Sequence, residues 1–195
     1  MKYLSFDLEA TGLAEDDLII EFGMTPFCTK NGLNKSLSKH FFINCPSFEE
    51  LQPRLDKWVI DHNKELIDKA HKTGISIQSF KEELETYVES DVVKEYFKES
   101  KVKIVLFGKS LNAIDLPFLN RDLGWDFMRK HFHHQVLDLS STVYSLIDLN
   151  LIPKSCISGG ELMNFLEMGD VCHTALEDAD NTALMYLKLL EIAKQ

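Results

Sequence analysis

The sequence predicts an α/β fold: a mixed sheet, an antiparallel meander joined by parallel strands, with helices on its faces. Three observations carry this reading. The N-terminal stretch alternates apolar and polar residues at period two, the later stretches carry apolar stripes at helical period, and short apolar runs closed by glycine or a turn stand between them. Strands in a meander followed by strands separated by helices are the order such a sheet requires.

Each element follows from its residues. In Tyr3-Leu-Ser-Phe-Asp-Leu-Glu9, Leu4, Phe6 and Leu8 share one parity, while Tyr3, Ser5, Asp7 and Glu9 share the other. A strand with that pattern turns Asp7 and Glu9 to the same face near its end, where Thr11-Gly12 turns the chain. Asp17 to Thr25 reads as a second strand and Leu37 to Ile43 as a third, with connections short enough for a meander. From Ser47 to Val93 the pattern is helical. One stripe runs through Leu51, Leu55, Trp58, Val59 and His62, another through Phe80, Leu84, Tyr87 and Val88. Lys103-Ile-Val-Leu-Phe107 is an apolar run ended by Gly108, as a buried strand is. Pro117 then suits a helix's first turn, because its missing N–H would be unpaired there in any case. Asp115 therefore stands at a helix N-terminus just past a strand's carboxyl end. Gln135 to Leu139 offers a fifth strand and residues 159–166 a short helix. The last helix begins at Thr174, which has the spacing of a capping box with Glu177, and its stripe runs through Ala179, Ala183, Leu187 and Leu190.

With 195 residues and no composition shift, repeat or Gly/Ser/Pro-rich linker, residues 1–195 read as a single domain with a sizeable core. A hydrophobic fraction of 45% with 27% charged residues fits a soluble globular chain, and no apolar run approaches bilayer length, so no membrane partner is expected. The start, Met-Lys-Tyr-Leu-Ser-Phe-Asp7, puts a carboxylate where a secretory signal would stay apolar. Cys28, Cys45, Cys156 and Cys172 lack metal-ligand spacing and a dense disulfide framework; reduced thiols in a cytoplasmic protein are the expectation. The net charge of −10 denies the chain the positive field that grips long duplexes. It leaves room for a short strand or a free end held through metal ions in a carboxylate cluster. Lys98, Lys101, Lys103 and Lys109 form a local basic run, more often a solvated face than a site.

The candidate chemistry lies in acids and one histidine. Asp7 and Glu9 repel each other unless something positive sits between them; they are either ordinary solvated acids or ligands of a hard cation. Helix capping alone would account for Asp115. His173 precedes the cap and Asp178 is the fourth helical residue, positions whose side chains meet across the start of a helix. Crevices in such sheets lie at the carboxyl ends of strands. Asp7, Glu9, Asp115, His173 and Asp178 all stand at strand ends or helix starts, so the set is more specific than any member.

The motifs Phe6-Asp7-Leu8-Glu9-Ala-Thr-Gly12-Leu13, Asn112-Ala-Ile-Asp115-Leu-Pro-Phe-Leu and His173-x4-Asp178 occur in the order found in a known family. In them the chain resembles the DEDD exonucleases of the ribonuclease H-like fold, in the DEDDh subgroup that carries a histidine in its last motif. Within that family it looks most like the oligoribonucleases, through Leu55-Asp-Lys-Trp58, His71-Lys-Thr-Gly-Ile75 and Leu137-Asp-Leu-Ser-Ser141. The resemblance covers most of the chain, weakly between about Ser47 and Lys101. It implies that Asp7, Glu9, Asp115 and Asp178 hold two divalent ions, Mg²⁺ or Mn²⁺, and that His173 is the general base for the attacking water. Histidine suits that role because its ordinary pKa of about 6.5 lies near working pH. The implied reaction is 3′-to-5′ removal of nucleoside 5′-monophosphates from single-stranded or short RNA or DNA with a free 3′ end. By the same resemblance Thr11, Leu13 and Trp58 lie along the terminal nucleotides, Leu13 as a wedge and Trp58 as a stacking face, although Trp58 stands equally well as a core aromatic. Asn112 either caps the Asp115 helix, the stronger reading, or touches substrate.

The chain also departs from the oligoribonucleases. Their His-Tyr-Arg aligns with His133-His134-Gln135, so an arginine that resembles part of the grip on a dinucleotide's 5′ phosphate is missing. This weighs against strict dinucleotide preference and against the homodimer that supports it, although a homodimer remains within the resemblance. His133 and His134 read as surface histidines, Asp138 as a structural carboxylate at a strand end, and Glu177 and Asp180 as helix-surface residues. Two other functions stay open: a nucleic-acid-binding subunit without catalysis, which would not need all five residues, and a proofreading or repair exonuclease acting on DNA.

Overall fold

The strand that carries Asp7 and Glu9 lies at the centre of the sheet. The computed structural model describes residues 1–100, 102–169 and 174–194. Among these, strands β1 (Lys2–Ala10), β2 (Ile19–Cys28), β3 (Gly32–Leu33), β4 (Lys39–Phe42), β5 (Leu106–Gly108) and β6 (Leu137–Asp138) form one sheet. Its order is β3-β2-β1-β5-β6, with β4 also paired to β2. β1 runs antiparallel to β2 and parallel to β5, and β5 runs parallel to β6, so the mixed α/β sheet expected from the pattern is present. The helices are α1 (Phe48–Leu51), α2 (Lys57–His62), α3 (Lys64–Thr73), α4 (Ile77–Glu89), α5 (Asp91–Phe97), α6 (Asp115–Leu123), α7 (Trp125–His131), α8 (Leu139–Asp148), α9 (Gly159–Phe165) and α10 (Ala175–Ile192). No helix among the described residues is long and apolar enough to cross a membrane.

Some boundaries differ from the sequence reading, each for a local reason. β2 runs on to Cys28 because Phe27 and Cys28 continue the ladder opposite Tyr3 and Lys2. The return through β3 starts at Gly32, whose φ of +75° suits a residue without a Cβ. The expected third strand is shorter, because Leu37 ends a 3₁₀ turn over Lys35–Leu37 before β4 begins. β5 is also shorter, because Ile104 leaves the ladder and makes a lone bridge to Phe132.

The two faces of β1 have different work. Leu4, Phe6 and Leu8 point into a core shared with α4, α5, α6 and α7, where Phe6 stacks on Phe22 at 5.5 Å and Phe22 meets Phe80 at 5.0 Å. On the opposite face Tyr3 joins Phe27, Phe107 and Tyr186 under α8, α9 and α10. Ser5 is fully buried there and donates to the Ala179 carbonyl of α10 at 2.6 Å. Asp7 and Glu9 continue this face towards the strand's end, so α10 covers an apolar half and borders an acidic half.

Small residues bring α10 close. Ala175, Ala179 and Ala183 are fully buried at a spacing of four, a flat stripe against the sheet. Gly23 of β2, which pairs with Asp7, lies directly beneath the first turn of α10; a Cβ there would overlap the backbone of Ala175 and Leu176. Gly23→Ala should therefore lower stability by about 1–3 kcal/mol, the usual cost of overpacking. It should also shift the start of α10, and with it Asp178. Chemical denaturation checks the first effect, and a weakened divalent-ion-induced rise in melting temperature checks the second.

Candidate active site

Asp7, Glu9 and Asp178 come together where β1 ends and α10 begins. One carboxylate oxygen from each lies within 4.8 Å of the others. β1 supplies two of them by its alternation, and α10 supplies the third from its first turn. That turn is set by Thr174, whose hydroxyl accepts the Glu177 N–H at 3.3 Å and donates to the Glu177 carboxylate at 2.7 Å. Asp115 is buried at the first position of α6, and its charge acts on Asp7. Four of the five residues singled out from the sequence are thus brought to one place. His173 lies outside the described residues.

The acids raise one another's pKa values. Burial first, then the charges of Asp115, Glu9 and Asp178, raises the Asp7 carboxyl well above the usual carboxylate range. Burial and the charge of Asp178 raise Glu9 to about 7. Burial raises Asp115 to about 7, against backbone hydrogen bonds from its own peptide and from Leu8 that pull it down. Acids so placed are protonated or are neutralised by a cation. The oxygen-only donor set suits a hard ion such as Mg²⁺ or Mn²⁺, which takes a few carboxylates and fills its shell with water or phosphate oxygens.

A further carboxylate escapes the sequence reading. Glu21 of β2 pairs across the ladder with Glu9 and is fully buried. Its Oε1 meets His40 Nε2 at 2.5 Å, and its Oε2 has no hydrogen-bond partner among the described residues. Its charge adds to the rise at Asp7 and Glu9. The signal was present in Ile19-Ile-Glu-Phe22, a carboxylate inside an apolar strand, but only the β1–β2 register reveals its neighbour.

The residues expected along substrate divide. Leu13, 74% exposed, and Trp58, 62% exposed, line one cleft of about 390 Å³ together with Glu9, Gly12, Asn63 and Ile114. Trp58 is therefore a cleft aromatic and not core; it stacks on His62 at 4.7 Å, while Leu51, Leu55 and Val59 take the buried side of the stripe. Thr11 differs from the expectation: it is buried, and its hydroxyl donates to Asp17 at 2.8 Å and accepts the Leu18 N–H at 2.9 Å. It shapes the turn that holds Leu13 out, and a Cβ at Gly12 would push on the Asp17 carboxylate that Thr11 bonds. Asn112 does not cap α6: the residue before the helix is Ile114, and no side chain caps it. Asn112 instead lines a second cleft with Trp125, Arg129, His133 and His134. Asp138 is structural as expected, accepting the Leu111 N–H at 2.8 Å and the Ser141 N–H at 3.2 Å. Asp180 is not on the helix surface: it is buried and ion-paired to Lys35, because the turn after β3 packs over α10.

The chain shares this mixed α/β fold with solved nucleases, one of them described as a DEDDh family member. The nuclease domain of 3′hExo, a DEDDh family member solved bound to rAMP, matches with a TM-score of 0.65 at 15% identity, over 97% of this chain and 92% of that one. Cell-death related nuclease 4 matches with a TM-score of 0.68 at 14% identity, over 98% of this chain and 64% of that one. E. coli Exonuclease I, in complex with a 5cy-dA13 oligonucleotide, matches with a TM-score of 0.67 at 13% identity, over 97% of this chain but 40% of its own length. The chain thus spans less than two thirds of the last two proteins. No protein-family model matches the sequence, and no curated protein does.

The raised carboxyls fix a pH dependence. Groups whose pKa is raised on folding contribute stability while protonated, and that stability is lost as pH rises through the folded-state value. In chelator, the melting temperature should fall between about pH 4.5 and about pH 7, from the ordinary carboxylate range to the raised values of Glu9 and Asp115, and Mg²⁺ or Mn²⁺ should restore more at the higher pH. A scanning-calorimetry series over pH with and without ion checks this; a cation-induced rise that is equal at both ends would contradict the coupling.

Proposed function

We propose that the chain is a metal-dependent 3′-to-5′ exonuclease and that residues 1–195 form one nuclease domain. The observation that carries this reading is the convergence of Asp7, Glu9 and Asp178, with Asp115 acting on them, beside a cleft that holds an exposed tryptophan. The neighbours support it: one is a nuclease domain bound to a nucleoside monophosphate, and another is bound to an oligonucleotide.

On this reading Asp7, Glu9, Asp115 and Asp178 hold two divalent ions, Mg²⁺ or Mn²⁺. Such a pair, when bound, stabilises the attacking and leaving oxygens of an in-line displacement at phosphorus. The protein's residues do the rest. Trp58 offers its face to a terminal base, a contact that tolerates any sequence. Leu13 stands as a wedge at the other wall and keeps the last nucleotide apart from the next. His173 takes the proton of the attacking water. A new P–O bond forms to water, the bond from phosphorus to the 3′ oxygen breaks, and a nucleoside 5′-monophosphate leaves with a strand shorter by one. The substrate is a single strand or a short nucleic acid with a free 3′ end. Gln135 in place of an arginine weighs against a strict dinucleotide limit and against an obligate homodimer.

A time course on 5′-labelled single-stranded RNA and DNA, with Mn²⁺ or Mg²⁺ and a chelator control, tests the proposal. The expected result is a metal-dependent ladder that shortens from the 3′ end. Asp115→Asn and Asp178→Asn should each lower the rate by more than about a hundredfold, since loss of outer-shell partners alone costs about 10–100-fold in metal sites. Binding without cleavage on every substrate would replace the nuclease by a binding subunit.

Trp58→Ala should raise KM more than it lowers kcat, because a stacking contact made equally in ground and transition states acts through binding. Steady-state kinetics on a short strand would separate the two constants; an unchanged KM would remove Trp58 from the substrate path.

A further inference from the structure

We propose that the cleft between α6 and α7 is a second nucleotide-binding site, which receives upstream nucleotides of the strand with a base stacked on Trp125 and a phosphate on Arg129. This deepens the exonuclease reading and rests on it. The cleft holds about 400 Å³, enough for a nucleotide, over an apolar floor of Leu106, Met128 and Phe132. Trp125 lines it and is 59% exposed, so that much of its indole is open to solvent. The Arg129 guanidinium lies 5.7 Å from the Trp125 ring centre. The opposite wall carries His133 and His134, stacked on each other at 4.5 Å, and the carboxamides of Asn112 and Asn120 add neutral hydrogen-bonding groups.

Charge selects the ligand. The neighbouring cations of α7 are already committed: Lys130 pairs with Glu85, and His131 meets Glu85 and Glu89. Arg129 has no carboxylate partner among the described residues, in a chain with a net charge of −10 where acids are plentiful. An arginine with no carboxylate partner among the described residues, lying over an indole that is more than half exposed, suits a planar base flanked by an anion, which a nucleotide supplies and an acidic peptide does not.

Continuity selects the strand. The cleft of Glu9 and Trp58 shares Leu13 and Ile114 with an adjoining cleft of about 400 Å³, and that one shares Pro117 with the α6–α7 cleft. In the proposed site the three, adjoining through these shared residues, serve as one furrow from the acids over the start of α6 to Arg129. A strand whose 3′ end sits at the acids would follow it with its 5′ side towards Trp125.

Fluorescence anisotropy with 5′-labelled single strands of two to about twelve nucleotides, in chelator so that nothing is cleaved, tests the site, because the gain in affinity with length reports contacts beyond the terminal nucleotides. For the wild-type chain, affinity should rise once the strand is long enough to reach the second cleft. Trp125→Ala should reduce that gain by about five- to a hundredfold, the usual loss of one base-stacking contact, and Trp125→Phe should retain most of it. Arg129→Gln should lower the slope of log affinity against log salt by about 0.7 on the longer strands, the value for one phosphate contact on a single strand. Lys154→Gln, an exposed cation off the furrow, should change neither quantity. If Trp125→Ala and Arg129→Gln weaken dinucleotide and long strand equally, or neither, the second site is wrong while the exonuclease reading stands. If Trp125→Ala instead alters the oligomeric state in light scattering, the cleft is covered by a second copy and the proposal fails. If the wild-type chain binds no strand and cleaves none with metal present, the exonuclease reading fails with it.

Discussion

Like-charge repulsion among Asp7, Glu9, Asp115 and Asp178 is the constraint that the rest of the structure accommodates. Two ionised carboxylates within 4.8 Å of each other repel by roughly 3 kcal/mol or more at an effective dielectric of about 20, and Asp7, Glu9 and Asp178 make three such pairs. Among the described residues the chain places no arginine or lysine between them. It raises the carboxyl pKa values instead, which leaves the acids ready to exchange protons for a divalent ion. Glu21 makes the repulsion worse from beneath, tempered by His40. Such an arrangement costs folding free energy, and the large aromatic clusters on both faces of β1 are what offset it.

One helix connects that cost to its compensation. The lower part of α10 packs Tyr186 and Leu189 into the aromatic cluster with Tyr3, Phe27 and Phe107, while its first turn presents Asp178 to β1. The distance between helix and sheet is therefore set by Gly23 and the alanine stripe, far more tightly than a solvated carboxylate would need. Core packing and ligand geometry become the same quantity, so a change at Gly23 reaches the acids without touching one of them.

The chemistry was more legible in the sequence than its surroundings. Asp7 and Glu9 could be placed on one face of one strand because period two leaves no alternative once Leu4, Phe6 and Leu8 are assigned to the core. Asp178 was legible through its distance from the Thr174 cap. Glu21, Asp180 and Asn112 were not, and for one shared reason: the role of each depends on a partner far along the chain. The β1–β2 register brings Glu21 beside Glu9, Lys35 reaches Asp180 across 145 residues, and Asn112 belongs to a wall made by α7. Trp58 was undecidable because the stripe it belongs to is wide enough to include both the buried Val59 and an exposed neighbour. The second cleft was invisible for the same reason, since its floor and rim come from β5, α6 and α7 and no single stretch carries its pattern.

The distribution of charge bears on how an acidic chain could handle a polyanion. A net charge of −10 repels nucleic acid at long range, so association gains nothing from steering and affinity must come from short-range contacts. The clefts are lined accordingly: aromatic faces at Trp58 and Trp125, aliphatic walls at Leu13, Ile114 and Pro117, and at the far end an arginine with no carboxylate partner among the described residues. A duplex presents its bases stacked inside and its phosphates outside, which is the wrong surface for such a furrow. A single strand presents bases that can leave their own stack, and each one seated exchanges base–base for base–aromatic contact. On the proposed reading the preference for free single-stranded ends therefore arises from the same electrostatics that built the site, because a surface this acidic holds a backbone at few points and must draw the rest of its affinity from base faces.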